Sequence, residues 1–306
     1  MNKYIIEAQN LTKDFGSGNG IFDLSFKIKK GEMIGFVGTN GSGKSTTIRS
    51  LIGFIKPTSG SSRINGLDSW EDSDKFIKNI GYVPGEISFP DLHSGTSFLK
   101  NQAEFLKLKN LDKANELIKI LQLDPSANLK RMSKGMKQKT ALVAALMADP
   151  EILILDEPTT GLDPLMRHNF INVVKNEHRN GKTILISSQS FEELESTCDR
   201  VIFILNGKLI AIANVDEIKN RNIRDFKIEF NNKDDYLKFK QYNYHILRDQ
   251  EQYFQVTIEV LKSDLNKLLF DLKDLNVKFI AEIKYTLESH FKRIAKEEFG
   301  EEELYV

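Results

Sequence analysis

The sequence predicts an α/β protein with a mainly parallel sheet, followed by a small α+β domain. Up to about residue 212, strand-type segments alternate with helix-type segments, which is typical of a parallel sheet covered by helices. An early β-rich portion adds an antiparallel section. Beyond 215–225 the pattern changes to the order β-α-β-β-α-β, which predicts a ferredoxin-like fold. We therefore expect two domains, 1–218 and 222–306.

Five segments of the first domain have strand patterns, either alternating or continuously apolar: FDLSFKIKKGE (22–32), MIGFVG (33–38), ILILDEP (152–158), TILISS (183–188) and VIFILNGKLIAIA (201–213). Asn206-Gly207 inside the last one predicts a type I′ hairpin. Amphipathic helices are predicted for STTIRSLIGF, FLKNQAEFLKLKN, KANELIKILQL and FINVVKNEHRNG. Gly181 is expected to end the last helix.

The second domain has shorter elements. FKIEF, YHIL, QYFQVTIEV and VKFIAEIKY have strand patterns, and LESHFKRIAKEEF is the last helix. Ser263 is predicted to cap the helix DLNKLLFDLKDL. The domain lacks a cluster of His, Cys or acidic residues at metal-binding spacing. We expect it to stabilise a dimer or to regulate activity.

Composition excludes several classes of protein. The chain of 306 residues is 40% apolar and 28% charged, which is ordinary for a globular protein. Basic and acidic residues each number 43, so charge gives no reason to expect nucleic acid as a partner. The longest apolar run, ALVAALMA, is far too short to span a bilayer. A secretory signal is not recognisable, and the single cysteine, Cys198, suits a reducing cytoplasm.

GTNGSGKST (38–46) matches the phosphate-binding pattern G-x-x-x-x-G-K-[ST], between a buried strand and a helix. Glycines let the backbone curl so that N–H groups point at phosphate oxygens, and the helix N-terminus adds partial positive charge. Lys44 can reach the β- and γ-phosphates of ATP, and Ser45 can ligate Mg²⁺. The candidate nucleotide-binding residues are Gly38, Asn40, Gly41, Ser42, Gly43, Lys44, Ser45 and Thr46.

Two acids, Asp156 and Glu157, follow the apolar run ILIL. Acids at a strand end are common, but together with the phosphate loop they predict an ATPase site. Asp156 is the candidate Mg²⁺ ligand. Glu157 is the candidate base beside the attacking water.

RMSKGMKQK (131–139) and TTGLDP (159–164) flank the acids. With the loop above, this series resembles the nucleotide-binding subunit of ABC transporters over residues 4 to about 215. The resemblance implies an ABC-type P-loop NTPase domain with a helical subdomain. The form SKGMKQ and the small C-terminal domain are similar to exporter ATPases that pair with a separate permease.

The resemblance implies further roles. Phe15 matches the aromatic residue that stacks on adenine, although a lone Phe is more often a core residue. Ser133 and Gly135 match the signature that closes over the γ-phosphate held by another subunit's phosphate loop. A serine, a glycine and a helix N-terminus form a reasonable anion site. Asp163 would cross the dimer to the partner's site.

The implied partners are a transmembrane permease and a second nucleotide-binding subunit, in a homodimer or a heterodimer. The chain would then be cytoplasmic and peripheral on the inner face of the membrane. Residues around 91–110 would offer the permease an apolar groove, unless they serve ordinary packing. Two alternatives remain open: a nucleotide-gated module with weak hydrolysis, and a soluble ABC ATPase acting on ribosomes or DNA. One phosphate loop and zero net charge argue against the last.

Two positions depart from the family pattern. The glutamine that links metal and water to the permease contact falls on Gly85, and the neighbouring Glu86 is a possible substitute. The family's histidine after the paired serines falls on Gln189, which donates a hydrogen bond but cannot become a cation. Losing one well-placed donor typically lowers the rate by about 10²–10³. We expect Gln189 to slow hydrolysis more than binding, unless an amide suffices.

Overall fold

The structure is a computed structural model that describes residues 3–299. The chain divides between Asn214 and Val215 into two compact units. The short helix Val215–Lys219 therefore belongs to the second unit.

In its described residues the first unit contains these strands: β1 (Tyr4–Asp14), β2 (Gly20–Lys29), β3 (Met33–Val37), β4 (Ser59–Ile64), β5 (Leu67–Asp68), β6 (Ile80–Val83), β7 (Ile152–Asp156), β8 (Thr183–Ser188), β9 (Arg200–Leu205) and β10 (Lys208–Asn214). Its helices are α1 (Lys44–Leu51), α2 (Ser73–Phe76), α3 (Gly95–Phe105), α4 (Asp112–Ile120), α5 (Lys134–Leu146), α6 (Pro164–Arg179) and α7 (Phe191–Thr197).

The central sheet has six strands in the order β10-β9-β3-β8-β7-β6. All neighbours pair in parallel except β10, which pairs antiparallel with β9. Every residue of β3, β7 and β8 is buried, as expected for apolar runs covered on both faces. Asn206 and Gly207 have φ angles of 49° and 72°, which confirms the predicted hairpin turn.

A second, antiparallel sheet has the order β2-β1-β4-β5. Its alternating strands, such as β2, bury one face and expose the other. Ile6, Leu11, Ile21 and Leu24 belong to one core cluster that also includes Phe36 of the central sheet. The mainly parallel sheet with an antiparallel section is confirmed. Helices α3 and α4 each contact α5, which packs beside β6, in the position of a helical subdomain.

The second unit contains α8 (Val215–Lys219), β11 (Ile223–Phe230), α9 (Lys233–Phe239), β12 (His245–Gln250), β13 (Gln255–Leu261), α10 (Leu265–Leu272), β14 (Val277–Ile283) and α11 (Leu287–Phe299). The four strands form an antiparallel sheet in the order β12-β13-β11-β14. From β11 to β14 the element order is the β-α-β-β-α-β that the sequence predicts. Likeness to ferredoxin-like domains stays a prediction.

The predicted cap at Ser263 is wrong. A 3-10 turn over Lys262–Asp264 precedes α10, so the helix begins two residues after Ser263, with Asp264 at the N-cap position. The Ser263 hydroxyl donates to the Asp264 carboxylate at 2.8 Å and not to the helix. The 3-10 turn over Lys262–Asp264 therefore forms in place of a cap by Ser263.

Candidate active site

The candidate site lies at the carboxyl ends of three neighbouring parallel strands. β3, β8 and β7 are adjacent in the sheet, and the segments after them begin at Gly38, Gln189 and Glu157. In the register of β7 and β8, Asp156 lies opposite Ser187. Three segments that are distant in sequence therefore meet at one edge of the sheet, where open α/β sheets bind ligands.

The loop between β3 and α1 has a shape that its glycines permit. Gly43, the N-cap of α1, has a φ of 105°. A Cβ on Gly38 would lie 2.1 Å from the carbonyl oxygen of Ile204, so no other residue fits without a shift. Lys44 is buried, and its Nζ donates to the carbonyl oxygens of Gly38 and Thr39 at 3.0 Å each. The Lys44 side chain therefore links the end of the loop back to its beginning.

The other predicted loop residues are arranged around Lys44. Asn40 and Gly41 are exposed at the loop's tip, and Ser45 and Thr46 are partly exposed in the first turn of α1. The Oγ atom of Ser42 is buried without a hydrogen-bond partner. The first turn of the helix has N–H groups without intrahelical partners, which suit phosphate oxygens.

The electrostatics of Lys44 depend on the two acids. Burial lowers the pKa of its ammonium group, and the nearby Glu157 and Asp156 carboxylates partly oppose this shift. The Nζ atom lies 3.9 Å from Oε1 of Glu157. A terminal phosphate at this place would add negative charge and favour the ammonium form.

Ser187 of β8 makes hydrogen bonds to both acids, Asp156 at the end of β7 and Glu157 directly after it. Its hydroxyl donates to Oδ1 of Asp156 at 2.6 Å and accepts from the backbone N–H of Glu157 at 2.9 Å. Glu157 has a φ of 48°, an unusual value for a residue with a side chain. This conformation directly follows the strand end, where Asp156 is fully buried and Glu157 is not. Consecutive acids therefore occupy different environments.

Gln189 lies beside the candidate base. Its Nε2 donates to Oε1 of Glu157 at 2.9 Å, the same oxygen that Lys44 approaches. Gln189 itself is exposed. The structure therefore brings Gln189, Glu157 and Lys44 together, and the amide donor contacts the base directly.

The donor set suits Mg²⁺. Oδ2 of Asp156 is buried and has no hydrogen-bond partner, which is costly for a carboxylate unless a cation neutralises it. The Ser45 hydroxyl lies in the first turn of α1, and hydroxyl and carboxylate oxygens are ligands that Mg²⁺ prefers. Asp156 and Ser45 therefore fit a magnesium site that ATP phosphates would complete.

Gly85 lies against this carboxylate. A Cβ built on Gly85 would be 3.1 Å from Oδ2 of Asp156. Position 85 is thus next to the expected metal ligand, yet it has no side chain to act there. Glu86 is exposed.

Comparison with known proteins identifies the family. The family model described as ABC transporter matches residues 21–160. The bacitracin transport ATP-binding protein BcrA of Bacillus licheniformis is 32% identical over 306 residues, covering 95% of this chain and 97% of BcrA. The uncharacterized ABC transporter ATP-binding protein YhcH of Bacillus subtilis (strain 168) is 37% identical over 227 residues, 72% of each chain. This chain belongs to the ABC transporter family.

A solved structure agrees with this assignment. The structure titled as the ATP binding subunit of an ABC transporter has a TM-score of 0.64 and 28% identity, and the match covers 71% of this chain and 92% of that one. The predicted resemblance is therefore confirmed, and the chain is an ATP-binding subunit of the ABC transporter type.

The predicted signature residues Ser133 and Gly135 form a second group in the structure together with Asp163. Ser133 caps α5 by accepting from the Met136 N–H at 3.2 Å, and Asp163 caps α6. A Cβ on Gly135 would lie 2.8 Å from the Gly161 carbonyl oxygen, so the signature and TTGLDP segments touch. Within residues 3–299, no hydrogen bond or ion pair links Ser133 or Asp163 to the Lys44 group.

Phe15 is not a core residue. Its side chain is 57% exposed, and its N–H bonds to the Asn19 carbonyl oxygen at 2.9 Å in a turn after β1. The Lys13 ammonium lies 5.3 Å from the ring centroid. An exposed aromatic ring on a turn is available for stacking on a base.

Sequence reasoning missed a buried polar group beneath the site. The Glu193 carboxylate accepts from the hydroxyls of Thr159 and Ser188 at 3.0 and 3.1 Å. Burial raises the pKa of Glu193, and these two hydrogen bonds partly oppose the shift. The bonds join α7 to Ser188 at the end of β8 and to Thr159 in the segment after β7. The adjacent serines Ser187 and Ser188 could have indicated this group. Because adjacent strand residues face opposite sides of the sheet, Ser188 must point away from the side on which Ser187 contacts the acids.

Proposed function

We propose that this chain hydrolyses ATP to energise export through a separate membrane permease. The observation that carries the proposal is the convergence of Lys44, Asp156, Glu157 and Gln189 at one edge of the sheet. None of the helices within residues 3–299 combines the length and apolarity needed to cross a bilayer. Another polypeptide would therefore provide the membrane path, with this chain peripheral on the inner face.

In the proposed reaction, the loop amides and Lys44 bind the β- and γ-phosphates and neutralise charge as the terminal bond breaks. Glu157 orients the attacking water and accepts its proton. Bound Mg²⁺ would supply further neutralisation of phosphate charge. Gln189 would hold the Glu157 carboxylate in place through its amide, without a proton of its own to transfer.

A second nucleotide-binding subunit would complete the site. Ser133 is exposed at the N-terminus of α5, so its hydroxyl and the neighbouring N–H groups can meet a phosphate that another subunit binds. Asp163 is exposed on the next helix start. ATP would then act as a ligand shared by two subunits, and its hydrolysis would release them and shift the permease between states.

An apolar groove supports the permease partner. It encloses about 270 Å³ next to β6 and α3. Phe105 and Phe54 in its lining are 67% and 55% exposed, whereas aromatic residues in a protein core are largely buried. Phe89 and Phe98 pack edge to face at its wall, 4.7 Å apart. A short amphipathic helix of the permease would bury these rings.

A second candidate function is favoured by two specific observations. Gly85 offers no side chain beside Asp156, and Gln189 engages the base with a neutral amide. Both would lower turnover while leaving nucleotide binding intact. The chain would then act as a nucleotide-gated module.

Steady-state ATP turnover, with and without the co-expressed permease, tests the proposal. Lys44→Ala should abolish ATP binding, whereas Glu157→Gln should keep binding and lower turnover by at least about 10². If the wild type binds ATP but turns it over no faster than Glu157→Gln does, the nucleotide-gated module is favoured. Failure of the wild type to bind Mg-ATP would refute both.

The groove is tested by co-purification with the permease. Phe105→Asp should lose the permease while keeping ATP binding. Phe270→Asp is the matched control, because Phe270 is 64% exposed on a helix of the second unit. Equal recovery of the permease with both variants would contradict the assignment of the groove.

A further inference from the structure

Glu193 is a buried carboxylate in the first turn of α7, the helix that follows Gln189. It is 5% exposed. Its Oε2 atom accepts from the hydroxyl of Thr159 at 3.0 Å and from the hydroxyl of Ser188 at 3.1 Å. Thr159 lies two residues after the candidate base Glu157, and Ser188 directly precedes Gln189. One carboxylate oxygen therefore connects the segment that carries the base to the segment that carries the amide.

Glu193 does not make the hydrogen bond that its position in α7 predicts. Ser190 is the N-cap of α7, and its hydroxyl accepts from the Glu193 N–H at 3.3 Å. In a capping box, a glutamate three residues after a serine N-cap accepts in return from the N-cap N–H. Here the Ser190 N–H donates instead to the Ser188 hydroxyl at 3.0 Å. The Glu193 carboxylate is therefore not used for the helix cap, and it binds Ser188 and Thr159.

The backbone of Glu157 depends on contacts of this kind. Its φ of 48° lies in the left-handed region, which is unfavourable for a residue with a side chain. Such a conformation persists where the surrounding structure fixes it. After Glu157, the Gln138 amide of α5 donates to the Pro158 carbonyl oxygen at 2.8 Å, and the Thr159 hydroxyl donates to Glu193. The second of these bonds connects the turn to α7.

We propose that Glu193 is a positioning residue, which keeps the Gln189 amide in contact with the Glu157 carboxylate. It does so by binding the hydroxyls of Ser188 and Thr159 with one oxygen. The inference rests on the proposed ATPase function, and it assigns a role in turnover to a residue outside the nucleotide-binding groups.

Turnover and ATP binding of the full-length chain, co-expressed with its permease, test this role. Within residues 3–299, no hydrogen bond or ion pair joins Glu193 to Lys44 or to the loop 38–43. Glu193→Ala should therefore lower kcat by about 10- to 100-fold, because small displacements of reacting groups are costly. The Kd for ATP should change by less than about twofold, as for any residue that acts on the chemical step alone.

Glu193→Gln is the conservative variant. Its carbonyl oxygen can accept from both hydroxyls, and Oε1, which the NH₂ group replaces, has no hydrogen-bond partner to lose. The kcat of Glu193→Gln should stay within about threefold of the wild type, because both hydrogen bonds remain. A parallel loss of kcat and ATP affinity in Glu193→Ala, or equal damage in Glu193→Gln, would overturn the proposal.

Thr159→Val guards against misfolding of Glu193→Ala. It keeps the shape of the side chain and removes one of the two hydrogen bonds, so kcat should fall by a smaller factor, about 2- to 10-fold. A wild-type kcat in this variant would contradict the role of the bond.

Glu177 provides the matched control. It is a second buried glutamate of the first unit, 2% exposed, and it pairs with Lys113 and Lys182. Lys182 directly precedes β8, so this ion pair lies at the end of the strand opposite to Gln189. Glu177→Gln should lower the melting temperature and leave kcat unchanged below it. A loss of kcat as large as in Glu193→Ala would show that Glu193 has no specific role.

A double-mutant cycle with Gln189 tests whether Glu193 acts through the amide. In Gln189→Ala there is no amide contact to maintain, so adding Glu193→Ala should cost less than about threefold in kcat. Fully additive losses would show that Glu193 does not act through Gln189, and they would overturn the proposal.

Hydrogen exchange distinguishes failure of this proposal from failure of the proposed function. A wild type that binds ATP without measurable turnover would refute the ATPase function, and kinetics would then say nothing about Glu193. In the nucleotide-free chain, Glu193→Ala should speed amide exchange in both segments that the carboxylate connects, 157–160 and 188–190, whereas Glu177→Gln should not. Unchanged exchange in either segment would overturn the positioning role.

Discussion

Replacing Gln189 by histidine tests the position at which the resemblance to ABC subunits predicts a histidine. The amide of Gln189 donates to Glu157 at 2.9 Å, so this donor already contacts the base. A histidine at the same place would also donate, but its imidazole titrates near pH 6.5 and can carry positive charge toward the terminal phosphate.

The size of the effect follows from the bonds involved. A missing donor typically costs about 10²–10³ in rate, but Gln189 still supplies one. Hydrogen bonds with a charged donor contribute about 1.5–3 kcal/mol, against about 1 kcal/mol for neutral ones. The difference of about 0.5–2 kcal/mol corresponds to a gain in kcat of about 2- to 30-fold for Gln189→His.

Steady-state phosphate release between pH 6 and 8 measures this gain. The ratio of Gln189→His to wild type should rise as pH falls through about 6.5, because the imidazole becomes charged. ATP affinity should change little. Gln189→Glu is the isosteric control: it removes the donor and places a second carboxylate beside Glu157, so turnover should drop. Equal kcat for wild type and Gln189→His at every pH would show that the amide suffices.

Three further predictions concern other parts of the fold. Phe15→Ala should weaken ATP and GTP binding alike by about tenfold, measured by calorimetry, because ring stacking tolerates either base; unchanged affinities would refute adenine stacking. Gly38→Ala should lower the melting temperature and ATP affinity together, because its Cβ would lie 2.1 Å from the Ile204 carbonyl oxygen; a wild-type melting curve would contradict that. Burial raises the folded-state pKa of Glu193 above its ordinary 4.5, so the wild type loses stability as pH rises through the raised pKa. Glu193→Gln should therefore melt higher than wild type at neutral pH, with the difference shrinking toward pH 4; a difference that grows on acidification would refute this.

Motif spacing predicted much of the site because its residues flank buried strands. Lys44 directly follows a glycine turn after β3, and Asp156 ends β7, so the apolar runs placed both at the same sheet edge. The sequence could not show that Ser187 lies opposite Asp156, since register depends on the whole sheet. Nor could it show that the Gln189 amide contacts Glu157.

Local competition explains the failure in the second unit. Ser263 has the residue type and spacing of a helix cap, yet the 3-10 turn at Lys262–Asp264 moves the helix start beyond it. Propensities of capping residues do not distinguish between adjacent short turns. The exposure of β14 could not be predicted from the sequence either, because its apolar pattern is the one that buried strands have.

The Ser187 hydroxyl has a consequence for anyone who dissects this domain. A fragment cut after residue 160 would retain the glycine loop and both acids, so its sequence would still be recognised as a nucleotide-binding cassette. It would lack the hydroxyl that Asp156 and the Glu157 amide share. Such a fragment would contain the sequence motifs of an ATPase but not the hydrogen bonds that position its two acids.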